Sequence, residues 1–444
     1  MIITGNTIGY SSSAGTGTYN FVGILGSVFN PIMLAVGAAT ASSIQNNTIA
    51  GISHNTSSGT FTTLFNAINV TAGNVNIGNS TGNTIGLPAA PITFNATAGF
   101  GGTAFGINMT GTGAVAIQNN TIQAITTIGV PLAAFNVTGI NIAGAAVYTV
   151  TNNTIGNFTP ANSINLGVLG TSTVGSTFIG INSTSTGSPL TIGSSGFSNF
   201  IQNITFNANN TNAFSGIVTS GANATTNITY NSIRGVRFAS AGTTGSTFTG
   251  ISNTGAVTTA ISISNNSLGI VGTDLVTYTA ATSGLFRGIR NSGGAGTATL
   301  SIVSNDFRGI VHTVAATASP SHNLIDNGAS TLSQDISSNT FTNLNINTTG
   351  GINMFTNGVT LTATGTKNMN SNSIVGSFVK GGATGSLTVY LDNSSSVAGS
   401  IINNNNNNLS NITVSGSTAV TGWQNTDGAT NPTKTITGNT FSNW

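Results

Sequence analysis

The sequence predicts an all-β solenoid in which short strands stack in parallel, turn upon turn, along one axis. Three observations predict it: a recurring asparagine phrase, a recurring glycine phrase, and a composition that disfavours helices. The 444 residues include 59 glycines and 38% hydrophobic residues, but only 8 prolines and 3% charged residues. Gly, Asn, Ser and Thr are poor helix formers, whereas Ile, Val and Phe suit short strands separated by turns.

The asparagine phrase reads apolar-x-x-Asn-Thr/Ser-apolar, as in Ile44–Ile49 and Val150–Ile155. It centres on Asn6, Asn47, Asn83, Asn120, Asn153, Asn231, Asn266, Asn305, Asn339, Asn372 and Asn439, with degenerate copies near Asn199 and Asn408. Thirteen copies give twelve periods of about 36 residues, a length typical of solenoids, propellers and arrays. A propeller is the main alternative, but the two tryptophans, Trp423 and Trp444, do not recur as propeller signatures do.

The glycine phrase reads aromatic-x-Gly-Ile, as in Phe178–Ile181 and Phe248–Ile251. Each period then holds three short strands: one after the Asn pair, one with the glycine phrase, and one before the next Asn pair. Stacking successive turns about 4.8 Å apart places like residues on like. Asn suits the corner because it tolerates left-handed backbone angles and its amide bonds its own stack. We therefore predict that residues 1–444 form one continuous solenoid of about 12 turns with an Asn ladder at one corner.

The Asn-Asn-Thr-Ile-x-Gly-Ile phrasing resembles the right-handed parallel β-helix repeats of the pectate-lyase-like superfamily. It is most similar to the long β-strand-repeat regions of bacterial surface and secreted proteins. The resemblance covers essentially the whole chain and implies right-handed coiling. It is specific for the fold and weak for function, because this scaffold hosts lyases, hydrolases, adhesins and passive stalks.

The chain opens and closes inside the repeat, at Ile3–Thr7 and Ile436–Thr440, and no polar cap is visible at either end. Because a bare terminal turn exposes core and strand edges, we expect the ends to contact further repeats of the same chain or a second copy stacked head to tail.

The apolar stretch 21–41 is interrupted by Asn30 and Pro31 and lacks flanking Lys or Arg, so we predict solenoid there and no membrane span.

The composition excludes several kinds of site. Residues 1–233 contain no Asp, Glu, Lys or Arg, and the whole chain has only eight Lys and Arg, so we predict no nucleic-acid partner. The absence of Cys removes disulfides and thiolate metal sites. His54, His312 and His322 stand alone in sequence, so we predict no metal and no cofactor, and we expect the three histidines at exposed or corner positions.

Most of the charged side chains fall within residues 234–335. The candidate ligand patch in this zone is Arg234, Arg287, Arg290, Asp306 and Arg308. The resemblance adds that β-helix lyases use an Arg or Lys base beside carboxylates. Arg234 and Arg308 each follow an Asn anchor by three residues, so they share a column two turns apart. The simpler interpretation is surface ion pairs that compensate one another, and we predict no catalytic residues and no enzyme activity.

The leading functional prediction is an extracellular structural repeat protein on a bacterial surface: a segment of a stalk or adhesin, or a subunit that stacks head to tail into a fibre. Near-zero charge removes the usual electrostatic barrier to self-association. One alternative is a solenoid that binds glycans or ice through a flat Thr/Asn face. A second is a polysaccharide lyase or hydrolase with its site in residues 234–335.

Overall fold

The computed structural model describes residues 1–23, 27–56, 63–96, 102–129, 135–158, 163–169, 172–239, 245–312, 322–426 and 432–444. Within these ranges the regular structure is entirely β, and no helix that could span a membrane is present. The strands pair in parallel with the strands one turn before and one turn after, as Thr84 does with Thr48 and Thr121. The chain is a parallel β-solenoid of about 11 turns, which confirms the predicted fold and is close to the predicted 12 turns.

Three sheets run along the solenoid. Sheet 1 precedes the Asn corner and comprises Ile2–Thr4, Ser42–Gln45, Val75–Ile77, Val115–Gln118, Tyr148–Thr151, Leu190–Ile192, Thr225–Thr229, Ala260–Ser264, Thr299–Val303, Ser333–Asp335, Thr366–Asn368, Ile401–Asn405 and Thr433–Thr437. Sheet 2 follows the corner and comprises Thr7–Gly9, Tyr19–Gly23, Thr48–Ala50, Ile52–Thr56, Thr84–Ile85, Ile92–Ala96, Thr121–Ile122, Ile125–Gly129, Thr154–Ile155, Ile164–Leu166, Phe200–Phe206, Ser232–Phe238, Ser267–Leu268, Val276–Tyr278, Asp306–Arg308, Ile310–His312, Thr340–Asn347, Ser373–Gly381 and Ile412–Val414. Sheet 3 carries the glycine phrase and comprises Ile32–Ala35, Thr63–Ala72, Gly102–Met109, Phe135–Ile142, Thr177–Ser183, Ala213–Thr219, Thr247–Asn253, Phe286–Asn291, His322–Asn327, Ile352–Asn357, Ser386–Asp392 and Ala419–Asn425.

Sheet 2 departs from the predicted single strand per turn. In most turns a residue with positive φ, such as Gly51 (63°), Ala124 (49°) or Gly309 (66°), divides it into two shorter strands. In four turns the strand stays continuous but contains a positive-φ residue: Asn203 (55°), Gly235 (66°), Asn343 (51°) or Gly376 (85°). Because left-handed backbone breaks the extended pleat, the wall after the Asn corner is bent, and many turns contain four strands where three were predicted.

The core consists of columns in which each residue lies on its like. One column of sheet 2 contains Ile49, Ile85, Ile122, Ile155, Ile201, Ile233, Leu268, Phe307 and Phe341. The column of sheet 3 that follows the glycines contains Ile68, Ile107, Ile140, Ile181, Ile217, Ile251, Ile289 and Ile325. Every member of both columns is at most 1% exposed. Each turn therefore buries its apolar side only with the help of its neighbours.

Steric packing explains why the aromatic-x-Gly-Ile phrase contains a glycine. A Cβ atom added at Gly216 would lie 2.5 Å from the carbonyl oxygen of Gly250 and 2.5 Å from Cδ1 of Ile233, on sheet 2. The same kind of close approach recurs at Gly106, Gly139, Gly180, Gly250 and Gly288. Glycine in this column lets the backbone of sheet 3 pack directly against the Ile column of sheet 2.

Replacing Gly216 by alanine should lower the free energy of unfolding by about 1–3 kcal/mol, because the new methyl group meets a backbone oxygen and a buried side chain that have no room to move. The matched control is Gly37→Ala, since an added Cβ there has nothing within 4 Å. Urea unfolding followed by circular dichroism measures both. Equal midpoints for the two variants would contradict the steric explanation.

Candidate functional site

An unbroken chain of side-chain amides runs along the corner between sheets 1 and 2. The Nδ2 of each asparagine donates to Oδ1 of the asparagine in the next turn, at 2.8–3.0 Å. Its members are Asn6, Asn47, Asn83, Asn120, Asn153, Asn199, Asn231, Asn266, Asn305, Asn339, Asn372, Asn407 and Asn439. The predicted Asn ladder is confirmed. The degenerate copies join it through Asn199 and through Asn407, the residue before the Asn408 that the sequence indicated.

Each ladder amide also forms hydrogen bonds with the buried backbone of its corner. Nδ2 of Asn231 donates to the carbonyl oxygens of Ile192 (2.8 Å) and Thr229 (3.1 Å), and the backbone N–H of Asn231 donates to Oδ1 of Asn266 (2.9 Å). The left-handed residue at this corner is Tyr230, with φ 57°, one position before the ladder. The expectation that ladder asparagines themselves adopt left-handed angles is therefore wrong. Their role is to supply hydrogen bonds to backbone groups that cannot reach water.

A second buried ladder, which the sequence analysis missed, follows the C-terminal residues of the sheet 3 strands. Its side-chain hydrogen bonds run from Thr219 to Asn253 (2.8 Å), Asn253 to Asn291 (2.7 Å), Asn291 to Asn327 (2.9 Å) and Asn327 to Asn357 (3.0 Å). All five residues are at most 1% exposed. Part of the signal was present in the sequence, because Thr219, Asn253 and Asn291 each stand two positions after the isoleucine that ends a glycine phrase.

The next position of this column holds an acid, Asp392, which pairs with Lys367 of sheet 1. The Lys367 Nζ lies 3.1 Å from Asp392 Oδ1, and the two side chains are 1% and 0% exposed. Lys367 occupies an inward position between Gln334 and Ile402 in the neighbouring turns. A fully buried Lys–Asp pair is rare because both charges lose their hydration. Sequence reasoning treated both residues as unremarkable.

The three histidines are buried, at 0–2% exposure, so the expectation of exposed or corner positions is wrong. Each replaces an aromatic residue in a column. His54 lies between Phe21 and Phe94, and His312 continues the stack beyond Tyr278 with ring centroids 4.4 Å apart. The imidazole of His322 lies 6.0 Å from that of His312. Aligning the sequence by its repeat period places these positions in columns of aromatic residues. That alignment is the signal that could have revealed their burial.

Burial controls the ionisation of these histidines. Desolvation, and to a smaller extent the neighbouring His322, lower the pKa of His312 to about 3, while the backbone of Asn345 partly opposes this shift. Desolvation and then the charge of Lys380 lower the pKa of His322 to about 4. The Lys380 ammonium is itself buried and donates to the carbonyl oxygens of Thr348 (2.9 Å) and Thr384 (2.8 Å). Both imidazoles are therefore neutral in the folded chain at neutral pH.

The candidate ligand patch does not come together. Arg234, Asp306 and Arg308 lie on sheet 2, whereas Arg287 and Arg290 lie on sheet 3. The register places Arg234 and Arg308 in one column two turns apart, since Ser232 pairs with Ser267 and Ser267 with Asp306. The sequence contained the reason for the separation: Arg287 occupies the x position of a glycine phrase, and glycine phrases form a different sheet from Asn phrases.

The sheet 2 residues are held by polar and aromatic neighbours. Arg234 donates twice to Oε1 of Gln202, at 3.0 and 2.7 Å, and its guanidinium lies 4.2 Å from the ring centroid of Phe158. Burial lowers the pKa of Arg234. Arg308 donates to Asp306, whose other oxygen accepts from Thr340 at 2.6 Å. These contacts are typical of a local ion pair and a cation–π contact on a sheet surface.

The sheet 3 arginines form a separate cluster with Asp326. Arg290 and Asp326 occupy the same column in adjacent turns, with Arg290 Nε 4.0 Å from Asp326 Oδ2. Burial raises the pKa of Asp326, and Arg290 and Arg287 partly oppose that shift. Burial lowers the pKa of Arg287, with a smaller contribution from Arg290. The pair is partly exposed, so its contribution to stability is about 0–1 kcal/mol.

A cavity of about 160 Å³ adjoins Arg308, lined by Val271, Asp274, Thr342 and Asn343 among others. Only one carboxylate, Asp274, belongs to this lining. In the described ranges, no three His, Cys, Asp or Glu side chains are grouped so as to hold a metal ion. The geometry offers a polar surface depression and does not assemble the paired carboxylates that a glycosidase uses.

No protein-family model, curated protein or solved structure matches the chain. The structure shows a parallel β-solenoid with Asn side-chain ladders, and no match supports the resemblance to the pectate-lyase-like superfamily or to bacterial surface proteins. That architecture serves many unrelated functions, so the functional argument must come from the sites themselves.

Replacing the ladder residue Asn231 by alanine should lower the free energy of unfolding by roughly 3 kcal/mol, because it leaves several buried backbone and amide groups without partners. The matched control is Asn182→Ala. Its amide makes a similar bond, 2.8 Å to Asn141, on a partly exposed column, so we expect about 0–1 kcal/mol there. Urea midpoints of the two variants provide the comparison, and similar losses would refute a special role for the buried ladder.

Replacing His312 by phenylalanine should make stability less sensitive to acid. The folded-state pKa of about 3 lies below the ordinary value of 6.5. As pH falls from 6.5, the unfolded chain therefore binds the proton first and stability is lost, by roughly 3 kcal/mol at pH 4. His312→Phe extends the aromatic column and removes this loss, whereas Tyr278→Phe should leave the pH dependence unchanged. Urea midpoints at pH 7 and pH 4 test this, and an unaltered difference for His312→Phe would be the contrary outcome.

Proposed function

We propose that this chain is an extracellular structural repeat protein whose solenoid lengthens by stacking, as part of a surface stalk or adhesin or as a fibre subunit. The next turn comes either from further repeats of the same chain or from a second copy placed head to tail. The observation that supports the proposal is the polarity of the buried Asn ladder, because a further turn of the same kind would continue it in either direction.

Every step of the ladder runs the same way, with Nδ2 of one turn donating to Oδ1 of the next. Asn6 therefore presents Oδ1 in the acceptor position toward a preceding turn, and Asn439 presents Nδ2 toward a following one. The two ends also share one sequence, since Ile3–Thr7 and Ile436–Thr440 both read Ile-Thr-Gly-Asn-Thr. If the turn that contains Asn6 in a second copy lies against the turn that contains Asn439 in the first, the ladder continues in register from one copy to the next.

The strand edges at the ends support the same proposal. All residues of the last strand, Thr433–Thr437, are exposed, and within the described residues this strand pairs on one side only. Apolar side chains are exposed beside both ends, including Ile2 (67%) and Trp444 (45%). An unpaired strand edge next to apolar surface is the feature that promotes strand addition.

Glycan binding is the second candidate, and the observation that favours it is the Arg234 guanidinium over the partly exposed Phe158 ring. Arginine and aromatic side chains suit charged sugars. A glycan array probed with the intact chain and with Arg234→Ala tests this, and a blank array removes the candidate. The lyase or hydrolase alternative gains no support from residues that lie on two different sheets.

Stacking is tested by placing a lysine on the exposed edge strand, a device that blocks strand addition. We expect the unmodified chain to form rods longer than one molecule in electron micrographs, increasingly so with concentration. Ile436→Lys should reduce them to single short rods.

The matched control is Val271→Lys, which adds the same charge at a side chain that is 82% exposed and away from both ends. This variant should assemble like the unmodified chain. Short, separate rods of the unmodified chain at every concentration would refute head-to-tail stacking of copies.

A further inference from the structure

We propose that Lys367 and Asp392 are a self-modification site, at which the lysine amine and the aspartate carboxyl condense to an amide cross-link between adjacent turns. The proposal does not depend on the function proposed above. It rests on the geometry, burial and hydrogen bonding of three residues: Lys367, Asp392 and Ser394.

The reacting groups are held together by the fold. Lys367 belongs to the sheet 1 strand Thr366–Asn368, and Asp392 ends the sheet 3 strand Ser386–Asp392 of the following turn. The Nζ atom lies 3.1 Å from Asp392 Oδ1. Because Oδ1 is bonded to Cγ, the carbon that the amine would attack, this hydrogen bond holds the amine beside the carboxyl group before any rearrangement.

The surroundings of Asp392 resemble an acyl-transfer site. Its Oδ1 accepts hydrogen bonds from the backbone N–H of Ser394 at 3.2 Å and from the Ser394 hydroxyl at 2.7 Å. These donors are placed to stabilise the negative charge that develops on this oxygen when a nucleophile attacks the carbonyl carbon. The other oxygen, Oδ2, is buried and has no hydrogen-bond partner. It is therefore the oxygen that can leave without breaking a protein contact.

The Ser394 hydroxyl also supplies a path for the proton. Nζ donates to this hydroxyl at 2.8 Å while the hydroxyl donates to Asp392 Oδ1. In the proposed reaction, proton transfer from the ammonium to the carboxylate along this path comes first, and the loss of hydration on both buried side chains opposes the charged pair. A neutral amine has the lone pair that an ammonium ion lacks.

The reaction balances without any other reagent. The Nζ lone pair attacks Cγ of the protonated Asp392 carboxyl and forms the N–C bond, while the C=O π electron pair moves onto oxygen. Oδ2 collects two protons, one from the nitrogen and the transferred carboxyl proton passed on from Oδ1. The C–Oδ2 bond then breaks, Oδ2 leaves as water, and the C=Oδ1 double bond re-forms. One amide forms and one water is released, with no oxidation or reduction.

The ion pair is not needed to satisfy the polar groups of this corner. Nearby in the same two columns, Gln334 accepts from Nδ2 of Asn327 at 3.2 Å, so neutral amides fit the same positions. A lysine and an aspartate therefore add something that the amides do not, namely the capacity to form a covalent bond. In a chain without cysteine, such an amide is a covalent link between turns that needs no disulfide.

Intact-mass spectrometry of the purified full chain tests the proposal. We expect the mass to be lower than the sequence mass by one water. Trypsin applied after denaturation should fail to cut after Lys367 and should release residues 309–380 joined to residues 381–434 as one branched species. The Lys367→Arg variant keeps the positive charge but cannot form this amide, so it should retain the full sequence mass and be cut after residue 367.

Two results would overturn the proposal. One is an unmodified intact mass together with complete cleavage after Lys367 in the unmodified chain. The other is the loss of water in Lys367→Arg as well, which would place the dehydration elsewhere. Neither result depends on whether the chain forms fibres, so this test and the stacking test are read separately.

Discussion

The structure depends on one constraint: a turn of about 36 residues cannot bury its own apolar side, so an equivalent turn must lie flush against it. In-register parallel stacking meets this requirement because it pairs every strand with its counterparts and places Ile49 beneath Ile85 and Ile122. The same stacking creates a corner where the backbone must change direction without water. The Asn ladder forms hydrogen bonds with the polar groups there. One repeated sequence unit therefore both buries the apolar side chains and satisfies the backbone hydrogen bonds.

Stacking also explains which substitutions the columns accept. A column position tolerates a residue of similar shape, so His312 can follow Tyr278 in an aromatic stack while its burial keeps the imidazole neutral. The glycine column accepts nothing larger wherever the sheet 2 side chain fills the space, as Ile233 does beside Gly216. The second ladder accepts an acid at Asp392 only together with Lys367, because an unpaired buried charge would be far more costly.

The period made most of the architecture predictable. An Asn in every repeat implies a column of Asn, and the ladder follows directly from parallel stacking. The bend of sheet 2 was not predictable from the period, because it depends on single left-handed residues such as Ala124 and Asn203 that vary from turn to turn. The burial of His54 and the second ladder could have been inferred by aligning the repeats column by column. The Lys367–Asp392 contact could not, since it joins two columns whose separation in space only the closed turn reveals.

The scarcity of charge follows from the same stacking and needs no functional explanation. Like charges in one column lie about 4.8 Å apart, a repulsion of about 1 kcal/mol in water and about 3 kcal/mol at an effective dielectric constant of 20. A repeat that copies one residue into every turn would multiply that cost, whereas Asn and Thr stack without it. The charges that are present obey this rule: Arg290 lies on Asp326 in the next turn, and Arg308 lies beside Asp306. Charged clusters in such a solenoid are thus expected to contain both signs of charge, which compensate one another. A ligand site is better sought where a polar residue differs from the other residues of its column than where charged residues accumulate.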